Sequence, residues 1–68
     1  MPVKNRLKEI LMEKGTKQLY IANKIGMSKS TFSNLIHNKF TTSMEYGFKI
    51  AKELDMKFED IFYYEEDK

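Results

Sequence analysis

The chain has no cysteine, one histidine, one proline and three glycines in 68 residues. Without thiols it forms neither a disulfide nor a thiolate metal site, which fits a reducing compartment. His37 stands alone and the carboxylates are not grouped at ligand spacing, so no metal site is expected. No apolar run approaches the ~20 residues that span a bilayer. The opening MPVKNRLKEI also lacks the uninterrupted apolar region of a secretory signal. There is no nucleophile beside a base, no carboxylate pair in an apolar setting and no glycine loop to cradle phosphate. These absences point away from enzymes, cofactor carriers and membrane proteins. They leave a soluble, cytoplasmic protein of one small domain, residues 1–68, with no small-molecule ligand expected.

What is present is charge of two signs, separated along the chain. Residues 1–42 hold eight basic and two acidic side chains, a net of +6, whereas residues 43–68 hold four basic and eight acidic, a net of −4. The first part can neutralise phosphates, and the second would be repelled by them and should face away.

The basic part contains the most informative stretch, Gln18 to Asn38, which reads as two short helices meeting at Gly26. In the second, Phe32, Leu35 and Ile36 fall at the i, i+3, i+4 spacing of one apolar stripe. The other side carries Lys29, Ser30, Thr31 and Asn34, which are small or hydrogen-bonding. A tight glycine turn feeding such a helix is what the DNA major groove accommodates. Lys29 is suited to guanine O6 and N7, Asn34 to an adenine edge, and the Thr31 methyl to a thymine methyl. Ser28 is positioned to cap this helix.

Around this stretch the spacing predicts an all-α arrangement of five helices. A first helix is expected from about Val3 or Lys4 to Lys14, with Val3, Leu7, Ile10 and Leu11 on one face and Pro2 tolerated at its start. Gly15 closes it, and Thr16 is available to cap the next, expected from about Lys17 to Ile25. Leu19 and Tyr20 have two readings, packing back on the first helix or, for Tyr20, offering its hydroxyl to a phosphate; packing is the expected one. After His37, Asn38 tolerates the left-handed geometry that ends a helix. The loop NKFTTS, with Lys39, Thr41, Thr42 and Ser43, supplies a cation and hydroxyls for phosphate. Thr42 and Glu45 match the capping box, so a fourth helix is expected there with Gly47, Ile50, Ala51 and Leu54 inward and Met44 and Phe48 beside them. Asp55 and Met56 mark a break before a short last helix bearing Phe58, Ile61 and Phe62. The acidic tail from Tyr63 to Lys68 is expected to fray. Phe62, Tyr63 and Tyr64 offer either core closure or a self-association patch, and hence a candidate dimer contact.

From Gln18 to Phe62 the chain resembles, without a gap, the Cro and phage-repressor (XRE-type) family of helix-turn-helix domains. The resemblance rests on Gln18, Ile21, Ala22 and Gly26, then on Ser28, Ser30, Thr31, Phe32 and Ser33, then on Ile50, Ala51 and Leu54, and finally on Ile61 and Phe62. It implies a lambda-repressor-like fold with the helix-turn-helix at about residues 17–37. It also implies that Gln18 touches the DNA backbone and braces the reading helix, and that Lys17 meets phosphate. Lys29, Ser30 and Asn34, with Thr31 beside them, match base-facing positions, and Lys39 through Ser43 match the phosphate-contacting loop. The family's frequent glutamate-asparagine-glycine is replaced by Ile36, His37 and Asn38, and a frequent proline by Thr42. The function implied is a sequence-specific regulator of transcription, a repressor, bound to double-stranded DNA as a homodimer on inverted half-sites. The rival reading is a protein-interaction module, such as an antitoxin-like or antirepressor partner, using the same fold.

Overall fold

The computed structural model describes residues 3–66. Val3–Asn5 form a strand, β1, rather than the first turn of a helix. It pairs antiparallel with β2, Phe62–Tyr64, setting Val3 opposite Tyr64, Lys4 opposite Tyr63 and Asn5 opposite Phe62. The first helix, α1, therefore starts later than its apolar spacing predicts and spans Leu7–Lys14. Asn5 explains the boundary. Its Oδ1 accepts the Leu7 N–H at 3.0 Å, an Asx-type turn that satisfies one of the free amides of a helix start. The Arg6 N–H is meanwhile drawn across to the Ile61 carbonyl at 2.9 Å. Pro2 lies outside the described residues.

Gly15 closes α1 in the left-handed region at φ 67. The expected cap by Thr16 does not form; Lys17 holds the N-cap position in an extended conformation, and no side chain bonds the first amides of α2, Gln18–Ile25. Gly26, at φ 78, turns the chain into α3, Lys29–Ile36. Then come α4, Met44–Leu54, and α5, Phe58–Ile61. Asp55, left-handed at φ 55, makes the break between them. The capping box expected at Thr42 and Glu45 does not form, and a single cap stands one residue later. Ser43 is the N-cap of α4, its Oγ accepting the Tyr46 N–H at 3.3 Å. Glu45 lies instead one turn from Lys49, with Nζ and Oε2 3.7 Å apart.

The five helices of the described residues and the two-stranded ribbon make the all-α description approximate. The ribbon also corrects the frayed tail. Phe62 leaves α5 with φ −106 and ψ 142, and aromatic side chains favour such a pleated, half-buried setting. Only Glu65 and Glu66 of the described tail lie beyond the strand.

Each helix turns one stripe inward, led by Leu7, Phe32, Leu35 and Ile50, which are fully buried. Phe62 closes this core from the ribbon, its ring 4.8 Å from that of Phe58, which in turn lies 4.8 Å from Phe48. Leu19 and Tyr20 do not pack back on α1. They remain 48% and 54% exposed, because Ile21, Ala22 and Ile25 alone occupy the inward face of α2.

Candidate nucleic-acid interface

The turn between α2 and α3 is fixed by backbone bonds and one cap. The Gly26 and Met27 amides both donate to the Ala22 carbonyl, the latter at 2.9 Å. Met27 then packs against the core. Ser28 adopts an extended conformation, and its Oγ accepts the Thr31 N–H at 3.2 Å while donating to Thr31 Oγ1 at 2.8 Å. The expected cap is thus formed, and it also engages the Thr31 hydroxyl.

Because Phe32, Leu35 and Ile36 are buried, the residues between them must face outward. Lys29, Ser30, Thr31 and Asn34 are all exposed. Lys29, Ser30 and Asn34 line one shallow depression, and half-buried Ser33 completes it. Ser33 was not among the expected reading residues, although its position four after Lys29 places it on the same side. No acidic side chain lies on α3, so the face offers donors, amides and one cation without a charge that repels phosphate.

The expected backbone-contacting residues divide into three groups. Lys17 and Gln18 are exposed at the start of α2, where the amides have no side-chain cap and the helix dipole favours an anion. No hydrogen bond of the Gln18 side chain is among those of the described residues. Lys39 is exposed just beyond Asn38, its backbone N–H donating to the Asn34 carbonyl at 3.0 Å. Thr41 and Thr42 are half-buried and, with Ser43, line a separate apolar recess beside Val3, Met44 and Phe58. Of the loop hydroxyls, Ser43 is exposed but already accepts a capping bond.

The candidate dimer residues also separate. Phe62 is core, Tyr63 lies beneath the Arg6 guanidinium at 4.5 Å from its ring centre, and Tyr64 is 67% exposed. Phe62 therefore offers little surface for a dimer contact.

A family model described as a Cro/C1-type HTH DNA-binding domain matches residues 6–67. The chain belongs to that family. As a Cro/C1-type domain it is similar to an uncharacterized HTH-type transcriptional regulator of Methanocaldococcus jannaschii, with 38% identity over 97% of this chain and all of the relative. It is also 29% identical to an uncharacterized HTH-type transcriptional regulator of Bacillus subtilis over 96% of this chain and 98% of the relative. In three dimensions it matches the crystal structure of a candidate DNA-binding protein from Bacteroides fragilis with a TM-score of 0.83. That match covers 90% of this chain and 98% of the other, at 28% identity. The family is one of DNA-binding transcription regulators, and no helix among the described residues is long and apolar enough to cross a membrane.

Proposed function

We propose that this Cro/C1-type domain reads a specific double-stranded DNA sequence by inserting α3 into the major groove, and that it represses transcription by occupying an operator. The observation that carries the reading is the division of α3 into a buried side of Phe32, Leu35 and Ile36 and an exposed side of Lys29, Ser30, Thr31 and Asn34. An eight-residue helix with one face free of large apolar side chains and of acidic charge fits the groove floor. Lys17, Gln18, Lys39 and the Thr41–Ser43 loop flank that face as phosphate contacts, which fix register without carrying sequence information.

A single helix of this size gives few base contacts. Two copies on inverted half-sites about one helical turn apart, roughly 34 Å, convert two weak grips into a selective one. We therefore read the protein as a homodimer on DNA, with Tyr63 and Tyr64 the remaining candidate contacts. The rival reading, a protein-interaction module, draws on one observation: Leu19 and Tyr20 are apolar side chains left exposed on α2. They are two residues on α2, whereas the exposed side of α3 is polar and carries no acidic charge, and this supports DNA reading as the stronger account.

The test is selection of bound duplexes from a random DNA library at near-physiological salt. Enrichment of an inverted repeat with fixed spacing is expected. Retention without enrichment, lost steeply as salt rises, would mean that only phosphates are read and would sink the sequence-specific reading.

A further inference from the structure

Asn5 is a polar residue set in the core, only 7% exposed. Its side-chain amide donates to the Leu35 carbonyl at 2.8 Å and to Asn38 Oδ1 at 3.1 Å, and its backbone N–H donates to the same Oδ1 at 2.9 Å. Asn38 Nδ2 donates back to the Asn5 carbonyl at 3.4 Å. Strand β1 is thereby fastened to the last turn of α3, 33 positions away in sequence.

Ending a helix does not require this. A left-handed residue such as Asn38, at φ 60, closes α3 through its backbone, its N–H donating to the Leu35 carbonyl at 3.0 Å, and a glycine would do the same. The Asn38 side chain is used for something else. Apolar contacts made by Phe32, Leu35 and Ile36 are non-directional and allow a helix to slip or roll slightly. Hydrogen bonds are directional and do not. The turn they fasten bears Asn34, and its exit leads directly to Lys39.

We propose that the Asn5–Asn38 clasp positions the C-terminal end of α3 for base reading, so that the two-stranded ribbon, remote in sequence, sets DNA specificity. The proposal rests on the reading of DNA by α3. With Ser28 fixing one end of the helix and the clasp the other, Asn34 and Lys39 stand at a set separation. A base edge and a phosphate can then be met together. Asn5 and Asn38 are positioning residues and touch no base themselves.

Asn38→Gly tests this, since glycine keeps the left-handed backbone and deletes the clasp. Asn38→Asp is the conservative control: its carboxylate still accepts from both Asn5 donors, and only the long 3.4 Å bond from Asn38 Nδ2 to the Asn5 carbonyl is lost. Wild type and both variants would be titrated with the best selected duplex and with a shuffled duplex of equal length, below each protein's unfolding midpoint. For Asn38→Gly the ratio of the two affinities should fall about tenfold, with the shuffled duplex bound within about twofold of wild type. Asn38→Asp should weaken both duplexes together through its added charge and keep the ratio within about threefold. Asn5→Ala deletes the two clasp bonds made by the Asn5 side chain, and its bond to the Leu7 N–H, while the backbone N–H and carbonyl of residue 5 stay available to Asn38; it should lower the ratio, by less than Asn38→Gly does.

A merely structural role would lower the unfolding midpoint and leave the ratio alone. A wild-type ratio in folded Asn38→Gly or Asn5→Ala overturns the proposal, as does equal loss of the ratio in Asn38→Gly and Asn38→Asp. Absence of any preference in the wild type would refute DNA reading itself, and the clasp's role with it. Failure of the clasp alone leaves the wild-type preference intact.

Discussion

The outward side of α3 and the outward side of α4 with β2 are built on one core yet expose opposite chemistry. On α3 every exposed side chain except His37 beyond its end is a cation, a hydroxyl or an amide from Lys29 to Asn34. On α4 and β2 the exposed set includes Met44, Phe48 and Tyr64, within residues 43–68, whose net charge is −4. Polar groups on α3 lose little by meeting a wet, charged groove, because their hydrogen bonds to water are exchanged for others. Exposed aromatics gain only where water is removed from both partners. The first surface is thus suited to nucleic acid and the second is not, although both are amphipathic helices by spacing. Identity of the exposed residues, rather than periodicity, separates the two.

The sharpest way to break the comparison is to remove the core that both sides share. Phe32 is fully buried under α3, and Phe32→Ala should cost about 3–5 kcal/mol. That is as much as a core of this size commonly supplies, roughly 3–5 kcal/mol. Circular dichroism should report a largely unfolded chain at 25 °C. A cooperative transition close to that of the wild type would mean that the side chain is not packed as described.

Substitutions at the surface of α3 should separate reading from gripping. Asn34→Ala should reduce discrimination between the selected duplex and single-base variants by about 1–3 kcal/mol at one position. Lys39→Ala should weaken all duplexes alike and make the salt dependence shallower by about one unit of slope. An Asn34→Ala protein with unchanged preference would remove that residue from the reading set.

On the other side, Gly47→Ala probes the aromatic stack without touching α3. A β-carbon at Gly47 would stand 2.5 Å from Phe58 Cε2, and the Phe58 ring is held between Phe48 and Phe62. Forcing that ring aside costs about 1–3 kcal/mol. Alanine returns about 1 kcal/mol of helix propensity in the middle of α4. A net loss of about 1 kcal/mol is expected, seen as a lower unfolding midpoint with DNA preference retained. A more stable variant would show that Phe58 is free to move.

The helices and their inward faces were legible because each rests on neighbours three or four positions apart. Gly15, Gly26, Asn38 and Asp55 end the elements where local chemistry allows a left-handed residue. The family, too, was legible, through the resemblance carried by Gln18 to Ser33, by Ile50, Ala51 and Leu54, and by Ile61 and Phe62. The ribbon was not. Val3 continues the apolar stripe of α1 as well as it fits a strand, and only pairing with Tyr64 at the far end of the chain decides between them. Such pairing leaves no local periodicity. The Asn5–Asn38 contact was hidden for the same reason. Leu19 and Tyr20 misled in the opposite direction, since apolar character alone does not ensure burial on a helix whose inward stripe is already filled.

The smallest effect concerns the start of α4, where two adjacent hydroxyl residues compete to be the cap. Thr42 has the sequence signature, with Glu45 three positions on, whereas Ser43 makes the bond in the structure. The two alternatives predict different outcomes from a pair of single substitutions. Ser43→Ala should cost about 1 kcal/mol, because the Tyr46 amide loses its acceptor. In a domain of this length that is a fall of roughly 4–8 °C in the unfolding midpoint. Thr42→Ala should cost less than about 0.5 kcal/mol, since it deletes no capping bond. The reverse order would restore the capping box at Thr42. The distinction bears on function because the uncommitted hydroxyl is the freer to accept or donate toward phosphate. If Ser43 carries the cap, Thr42→Ala should leave stability nearly unchanged while slightly weakening binding to every duplex alike.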